Sequence, residues 1–199
     1  MKTRRVLGVD FDDVLFPTDG FLRFWNDKFG TSFVQDQFTH PRFHELLGAP
    51  EAEVLLYFEA WVNGAGAATQ PYDHAIEVLV ELQRDYDLHV VTYRSIEMKD
   101  ATLAWIDWAF PGVFSDMHFC SKSRKPVRAK SAVYKQIGAV IMLEDHLGVA
   151  YELAEAGIHA YVFDKPWNRF NRDNKPRSGA VIHVEDWRAP LLKTLIRRR

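Results

Sequence analysis

Short apolar runs that alternate with helical segments are the feature that most constrains the fold of this chain. Runs of four to six residues that are rich in β-branched side chains are typical of buried strands. Helical spacing of apolar residues separates most of these runs from residue 71 onward. Alternation of this kind predicts an α/β fold, a Rossmann-like parallel sheet that helices cover on both faces. The predicted strands are 6–9, 88–92, 117–120, 140–143, 158–163 and 180–184.

One segment, 17–70, breaks this alternation. It has helical spacing throughout and contains no convincing strand. Because it follows the first predicted strand directly, we expect a helical unit over 17–70 inserted into a core domain formed by 1–16 and 71–199. Ten of the 54 residues of this unit are aromatic, near 19%, against 14% in the whole chain. That excess fits either the core of a small helical unit or a surface that stacks on a planar ligand.

Composition and charge exclude several classes of protein. A length of 199 residues suits one domain with an insertion. The single cysteine, Cys120, excludes an internal disulfide and a cysteine-rich metal site. A net charge of -2 argues against a polyanion-binding protein, so we expect no nucleic-acid partner. No apolar run approaches the roughly 18 residues of a membrane span, and 6–9 is too short for a secretory leader. We therefore expect no membrane association and a cytoplasmic location.

Chemically reactive side chains follow the predicted strands where those strands end. Asp10 and Asp12 follow the first strand, Thr92 ends the second, and Glu144 and Asp145 follow 140–143. A basic loop, 122–130, follows the strand at 117–120. Because ligands of open parallel sheets bind beyond the carboxyl ends of the strands, we expect these groups to meet at one edge.

The acidic groups at this edge predict a magnesium site. Asp10 and Asp12 are two residues apart, so both side chains point the same way in an extended segment. Adding Asp145 concentrates negative charge that a divalent cation would offset, and ligands that are all oxygen suit Mg²⁺. Taken singly, each feature has an ordinary structural reading: paired aspartates occur in turns, an acidic pair caps helices, and a basic loop is a solvated face. Their common position at strand ends favours a functional site.

These residues resemble the motifs of the haloacid dehalogenase superfamily of phosphatases. Val9-Asp10-Phe11-Asp12-Asp13-Val14 is similar to the first motif, and Thr92 corresponds to the second. Lys130, at the start of a predicted helix, fits the third motif best, although Lys125 competes with it. Glu144-Asp145 is similar to the acidic fourth motif, and the resemblance covers about 5–165.

The resemblance implies roles for these residues. Asp10 would be the nucleophile that forms an aspartyl-phosphate, and Asp12 would be the acid and base. Mg²⁺ would be bound by Asp10, the carbonyl of Asp12 and Asp145. Thr92 and Lys130 would bind the phosphoryl oxygens. Whether Glu144 also serves the metal is left open.

The resemblance further implies that 17–70 is a cap that sets substrate specificity. The overall spacing of the motifs, the acidic fourth motif and the segment 163–168 are similar to the 5'(3')-deoxyribonucleotidase branch. We therefore expect a nucleoside monophosphate 5'-nucleotidase with a small phosphorylated metabolite, a nucleotide, as substrate. Trp25 and Trp61 are candidates for stacking on the base. The alternatives are a sugar- or small-metabolite phosphatase and, from another class, a receiver-like phospho-acceptor domain. Arg94 is expected in a surface ion pair, and His146 either approaches the site or starts a helix.

Overall fold

The computed structural model describes residues 4–40, 42–168 and 180–196. Within them the chain forms one seven-stranded sheet with the strand order β4-β3-β2-β1-β5-β6-β7. All neighbouring strands are parallel except β3 and β4. The strands are β1 (Arg5–Val9), β2 (Tyr86–Ser95), β3 (Asp116–Lys122), β4 (Lys125–Pro126), β5 (Ala139–Glu144), β6 (His159–Phe163) and β7 (Val181–Val184).

Helices cover both faces of this sheet, which confirms the predicted fold class. They are α1 (Asp19–Phe29), α2 (Phe43–Leu47), α3 (Glu51–Val62), α4 (Ala75–Leu82), α5 (Lys99–Ala109), α6 (Lys130–Ile137), α7 (Leu147–Glu155) and α8 (Pro190–Ile196). Short 3₁₀ turns span Gln35–Gln37, Ala65–Ala68 and Ile96–Met98. None of the helices in the described ranges is both long and apolar enough to cross a membrane.

The central strand β1 shows how the two faces are packed. Leu7 and Val9 are fully buried in the larger apolar cluster, together with residues of α4, α5 and α8. The opposite side of β1 has no side chain at Gly8, and the ring of Tyr134 from α6 lies against it. A Cβ on Gly8 would be 2.1 Å from Cε1 of Tyr134. The glycine therefore lets α6 pack directly onto the strand that leads to Asp10.

The inserted segment is helical, as predicted, and much of its aromatic content forms its own core. Phe21 of α1 and Phe58 of α3 pack edge to face with ring centroids 5.3 Å apart. Trp25 and Trp61 are both 3% exposed. Trp61 also packs on Phe16 of the core domain at 5.4 Å, so the apolar core is continuous from the sheet into the insertion. The division into two domains stays a prediction.

Two features of the sheet differ from the sequence-based expectation. β2 continues to Ser95 because its register with β3 shifts between Thr92 and Ser95, which lets pairing resume. The predicted basic loop contains a hairpin, in which Lys122 of β3 pairs with Lys125 of β4. Its two turn residues, Ser123 and Arg124, have φ of 49° and 59°. Hairpin turns with positive φ usually carry Asn or Gly, so this sequence gives no signal for the turn. Residues 169–179 of the polar loop predicted over 164–179 lie outside the described ranges.

Candidate active site

The reactive side chains predicted from the sequence meet at the carboxyl edge of the sheet. Asp10 and Asp12 follow β1, Thr92 lies on β2, Lys130 begins α6, and Asp145 follows β5. All five line one cavity of about 400 Å³. The structure therefore brings together the five residues to which the resemblance assigned catalytic, phosphate-binding or metal-binding roles.

Asp10 is held at the floor of this cavity by the sheet itself. Its backbone N–H donates to the carbonyl of Leu143 on β5 at 2.9 Å, which extends the pairing of β1 by one residue. Its carboxylate is buried and accepts the N–H of Phe11 at 2.7 Å. The same oxygen, Oδ1, lies 2.7 Å from Nζ of Lys130. Oδ1 of Asp10 therefore contacts the ammonium group of Lys130 and the N–H of Phe11, and the side chain still borders the cavity.

Lys130 borders the cavity, and Lys125 does not. The side chain of Lys130 is 2% exposed and reaches Asp10 at 2.7 Å and Glu144 at 3.1 Å. Burial lowers the pKa of this lysine, but the charges of Asp10 and Glu144 outweigh burial and hold the pKa above its ordinary value. Lys125 lies exposed on the short strand β4. The position of Lys130 in the first turn of α6 therefore places its ammonium group at the strand ends.

Three carboxylates form an acidic cluster that fits a divalent cation. One oxygen from each of Asp10, Glu144 and Asp145 lies within 4.8 Å of the others. Burial, reinforced by the charge of Asp10, raises the pKa of Glu144 to about 8. Burial and the charge of Glu144 likewise raise the pKa of Asp145 well above its ordinary value. A cation between these oxygens would offset that repulsion, and oxygen-only donors suit Mg²⁺.

The carboxylate of Asp12 is bound by Arg94 rather than by Lys130. Nη2 of Arg94 donates to Oδ1 at 2.8 Å, and Nε lies 3.1 Å from both oxygens. Arg94 is 1% exposed in its side chain and Asp12 is 28% exposed, so the ion pair expected at the surface is in fact partly buried. The reason is that β2 continues past Thr92 and places Arg94 beneath α5. There the guanidinium lies over the rings of Phe11 and Phe16 and donates a hydrogen bond to Thr102. Burial raises the pKa of Asp12, and Arg94 opposes this shift.

Thr92 faces the same edge from β2. It is 1% exposed, and its Oγ1 accepts the backbone N–H of Arg94 at 3.0 Å. Thr92 also lines the cavity. His146 also borders the cavity and starts a helix, since its Nδ1 accepts the N–H of Val149 at the beginning of α7.

A second polar network, which the sequence analysis missed, supports this edge. Asp13 has a φ of 56° and is buried, and its carboxylate accepts hydrogen bonds from Thr18 and from the hydroxyl of Tyr72 at 3.0 Å. Nζ of Lys165 donates to the same hydroxyl at 2.8 Å. Burial lowers the pKa of Lys165, and Asp13 opposes this shift. The only sign of this network in the sequence was Asp13, the third aspartate of the run that follows β1.

The loop that carries Asp145 is fixed by the segment that follows β6. Nε1 of Trp167 donates to Oδ2 of Asp145 at 3.0 Å. Nδ2 of Asn168 donates to the carbonyl of Asp145 at 2.6 Å, and its Oδ1 accepts the N–H of Leu147. Trp167 and Asn168 therefore position the acidic loop.

The opposite wall of the cavity is apolar and comes from the inserted segment. Trp25 and Trp61 do not line it, because both are buried in the core of the insertion. The prediction that these two residues stack on a ligand is therefore not supported by their positions. Phe43 borders the cavity and packs edge to face on Trp167, with centroids 5.3 Å apart. The apolar wall consists of Phe21, Leu22, Phe38, Phe43, Leu47, Val54, Leu55 and Phe58.

Solved structures of other proteins share this fold. A haloacid dehalogenase-like family hydrolase of Streptococcus pneumoniae has a TM-score of 0.67 and 14% identity, over 98% of this chain and 99% of that one. The magnesium-bound "putative HAD-hydrolase YfnB" of Bacillus subtilis has a TM-score of 0.59 and 16% identity, over 98% and 99%. The chain has the haloacid dehalogenase-like fold, which confirms the predicted resemblance in fold.

Sequence comparison adds one relative over nearly the whole chain. It is the protein named "Putative nucleotidase YqfW" of Bacillus subtilis (strain 168), 26% identical over 186 residues, which are 91% of this chain and 89% of that protein. No protein-family model matches the chain.

Proposed function

We propose that this protein is a magnesium-dependent phosphomonoesterase that acts through an aspartyl-phosphate on Asp10. The observation that carries the proposal is the contact of Asp10 with Lys130 at 2.7 Å, beside the carboxylates of Glu144 and Asp145 and at the floor of a cavity. A nucleophilic carboxylate, a phosphate-binding cation and a metal-binding cluster are the parts that phosphoryl transfer requires at one point.

The proposed reaction has two steps. A carboxylate oxygen of Asp10 attacks phosphorus, the ester P–O bond breaks, and Asp12 gives its proton to the leaving oxygen. Asp12 then removes a proton from water, the resulting hydroxide attacks the phosphorus, and the bond to Asp10 breaks to release phosphate. Lys130 and Thr92 bind the phosphoryl oxygens throughout, since positioning supplies most of the catalysis in this chemistry.

The acidic cluster is the proposed magnesium site. Asp10, Asp145 and the carbonyl of Asp12 would hold the ion. Glu144 is buried against Lys130 and adds negative charge behind them. When bound, Mg²⁺ supplies positive charge at the phosphoryl oxygens, which would otherwise meet three carboxylates. The magnesium bound to YfnB is consistent with this assignment.

The lining of the cavity favours a nucleoside monophosphate as substrate. One end is charged and suits a phosphate, and the other end is formed by aliphatic and aromatic side chains of the insertion. An aromatic base can pack on such a wall, with Thr18 and Gln35 as the nearby polar groups. A sugar phosphate would place hydroxyl groups against apolar surface at a cost in desolvation. The name of the relative YqfW points in the same direction.

The alternatives predict different behaviour. A sugar- or small-metabolite phosphatase would turn over sugar phosphates faster than nucleotides. A receiver-like domain would accept a phosphoryl group once and show no turnover. An inserted segment that forms a substrate-sized cavity over the nucleophile supports an enzyme rather than such a domain.

The test is steady-state hydrolysis with Mg²⁺, first of p-nitrophenyl phosphate and then of nucleoside monophosphates and sugar phosphates. We expect turnover that Asp10→Asn abolishes, with a higher kcat/KM for nucleotides. Asp27→Asn makes the same chemical change at an exposed position on α1 and should retain full activity. Absence of turnover of every phosphate ester by the folded protein would overturn the proposal.

A further inference from the structure

A second cluster of metal-binding side chains lies on β2 and β3, away from the acidic cluster. The sequence Asp-x-His occurs on both strands, as Asp87-Leu88-His89 and Asp116-Met117-His118. His89 pairs with Asp116 in the parallel register, and Val91 pairs with His118. Because alternate residues of a strand share a face, all four side chains lie on one face of the sheet.

The two imidazoles are in direct contact. Nδ1 of His89 lies 3.0 Å from Nε2 of His118, and the same nitrogen of His118 lies 3.7 Å from Oδ2 of Asp116. Two ligand atoms of a tetrahedral zinc ion, each about 2.0–2.1 Å from the metal, are about 3.3 Å apart. The observed separations of 3.0 and 3.7 Å lie on either side of this value. One oxygen or nitrogen from each of His89, His118 and Asp116 lies within 4.8 Å of the others.

The other nitrogen of His89 is held by a carboxylate, as in many metal sites. Nε2 of His89 lies 3.4 Å from Oδ2 of Asp87, and the second oxygen of Asp87 accepts the hydroxyl of Ser115. Histidine ligands usually donate their second N–H to a carboxylate or carbonyl, which fixes the ring and the tautomer. This arrangement leaves the lone pair of the His89 ring on Nδ1, and Nδ1 is the atom that faces His118.

We propose that His89, His118 and Asp116 bind a borderline divalent transition-metal ion, represented by Zn²⁺, with water in the fourth position. Imidazole nitrogen with one carboxylate suits Zn²⁺, Ni²⁺ or Cu²⁺ and is a poor donor set for Mg²⁺. The site is independent of the proposed phosphatase chemistry and links β2 to β3.

The cluster is open enough to take up an ion. The imidazoles of His89 and His118 are 13% and 16% exposed, and the carboxylates of Asp87 and Asp116 are 36% and 61% exposed. The two ring planes differ by 8°, and the contact of 3.0 Å between Nδ1 of His89 and Nε2 of His118 fits one N–H between the rings. Metal binding moves the proton of His118 from Nε2 to Nδ1. Both rings also turn about their Cβ–Cγ bonds, so that Nδ1 of His89 and Nε2 of His118 point toward the metal ion.

Charge at the cluster is compatible with a cation. The carboxylates of Asp87 and Asp116 place negative charge beside the two imidazoles and would offset the charge of the ion. Arg128 is a nearby positive charge that acts on His118, and its guanidinium donates to Gln136 on α6.

The test is Zn²⁺ binding by the full-length protein, measured by competition with a chromophoric chelator in excess Mg²⁺. We expect the wild type to bind zinc at this cluster, with at least tenfold weaker binding in His89→Asn and His118→Asn. Asp87→Asn should weaken binding by about 10–100-fold, the usual effect of removing such a carboxylate. His159→Asn, at an exposed position on β6, is the matched control and should bind as the wild type does.

A second measurement on the wild type keeps the proposal falsifiable if a variant does not fold. Zn²⁺ should shift the imidazole ¹⁵N resonances of His89 and His118, and Mg²⁺ should not. Zinc should also raise the Tm of the wild type more than that of His118→Asn. Equal zinc affinity in wild type and both histidine variants, or unshifted His89 and His118 resonances at saturating zinc, would overturn the proposal.

Discussion

At the scale of single residues, the site separates two aspartates that look equivalent in the sequence. Asp10 is buried and contacts Lys130, whereas Asp12 is 28% exposed in its side chain and is held by Arg94. The alternation of side chains along the strand predicted that both would face the cavity. It gave no information about which cation each would meet, because Lys130 and Arg94 arrive from elements far away in the chain.

This separation predicts different phosphoenzyme behaviour in two variants. Asp10→Asn removes the proposed nucleophile, so no phosphoprotein should form. Asp12→Asn removes the proton donor and base, so an activated ester should still phosphorylate Asp10 and the intermediate should accumulate as a burst. Natural esters should be hydrolysed about 10²–10⁴-fold more slowly in Asp12→Asn. Rapid-quench detection of hydroxylamine-sensitive phosphoprotein makes the measurement; label in Asp10→Asn and none in Asp12→Asn would mean that the two roles are reversed.

Arg94 should be important for both stability and the placement of Asp12. Arg94→Met removes the buried partner of an ion pair whose other member, Asp12, is partly exposed. We expect a loss of about 3 kcal/mol in the free energy of unfolding, the lower end of the range for buried pairs. Because Asp12 then lacks its partner, natural esters should be affected more than activated ones. Urea unfolding measures the first effect. Arg23→Met, which breaks an exposed ion pair with Asp19, should cost less than about 1 kcal/mol. Similar losses in the two variants would contradict the assignment.

At the scale of elements, the helices of the insertion form both an apolar core and one wall of the cavity. Phe21 packs on Trp25 and Trp61, while also bordering the cavity together with Phe43. Arg124 in the β3–β4 turn reaches back to Glu59 of α3 at 2.9 Å, which ties the insertion to the sheet edge. The aromatic excess in the sequence therefore reflects a core and a cavity wall together.

The cavity wall should affect nucleotide substrates selectively. Phe43→Leu keeps apolar volume and removes a ring that borders the cavity. We expect kcat/KM for a nucleotide to fall about tenfold, since stacking is worth about 1–3 kcal/mol per base. Hydrolysis of p-nitrophenyl phosphate should change much less. Phe24→Leu makes the same change on α1 away from the cavity lining and is the control. Equal losses on both substrates would indicate a structural role for Phe43.

The elements also show what the sequence could and could not reveal. Strands and helices of the core were predictable, because each short apolar run is followed by a helical pattern and ends at a polar residue. The hairpin at Ser123 and Arg124 was not, because its turn lacks the usual residues. Trp25 and Trp61 were misplaced as ligand contacts because helical spacing identifies an apolar face without showing what covers it. The network of Asp13, Tyr72 and Lys165 joins three distant segments and depends on tertiary packing.

At the scale of the whole molecule, metal binding should be linked to folding. The acidic cluster collects carboxylates from the loops after β1 and β5, so a bound ion connects two parts of the sheet. At a magnesium concentration 100 times Kd, binding adds about 2.7 kcal/mol of stability. For a chain of this size we therefore expect a rise in Tm of roughly 5–10 °C.

A thermal shift titration measures this effect. Asp145→Asn should lose most of the magnesium-dependent rise, while Glu155→Gln, at an exposed position on α7, should keep it. A chelator should abolish turnover in the wild type, and Ca²⁺, which prefers more ligands and a looser geometry, should bind and inhibit. Full activity after exhaustive chelation would contradict the magnesium assignment.

The central position of β1 also has a consequence for synthesis of the chain. β1 is the earliest of the described strands, yet its partners in the sheet begin at Tyr86 and Ala139. A ribosome that adds about 5–20 residues per second needs on the order of ten seconds to pass from Asp10 to Asp145. During that time the nascent chain carries an apolar strand without its native neighbours. Incomplete chains that lack α6 and the loop after β5 therefore hold the proposed nucleophile without Lys130 and Asp145, and hydrolysis is expected only after Asp145 has been made.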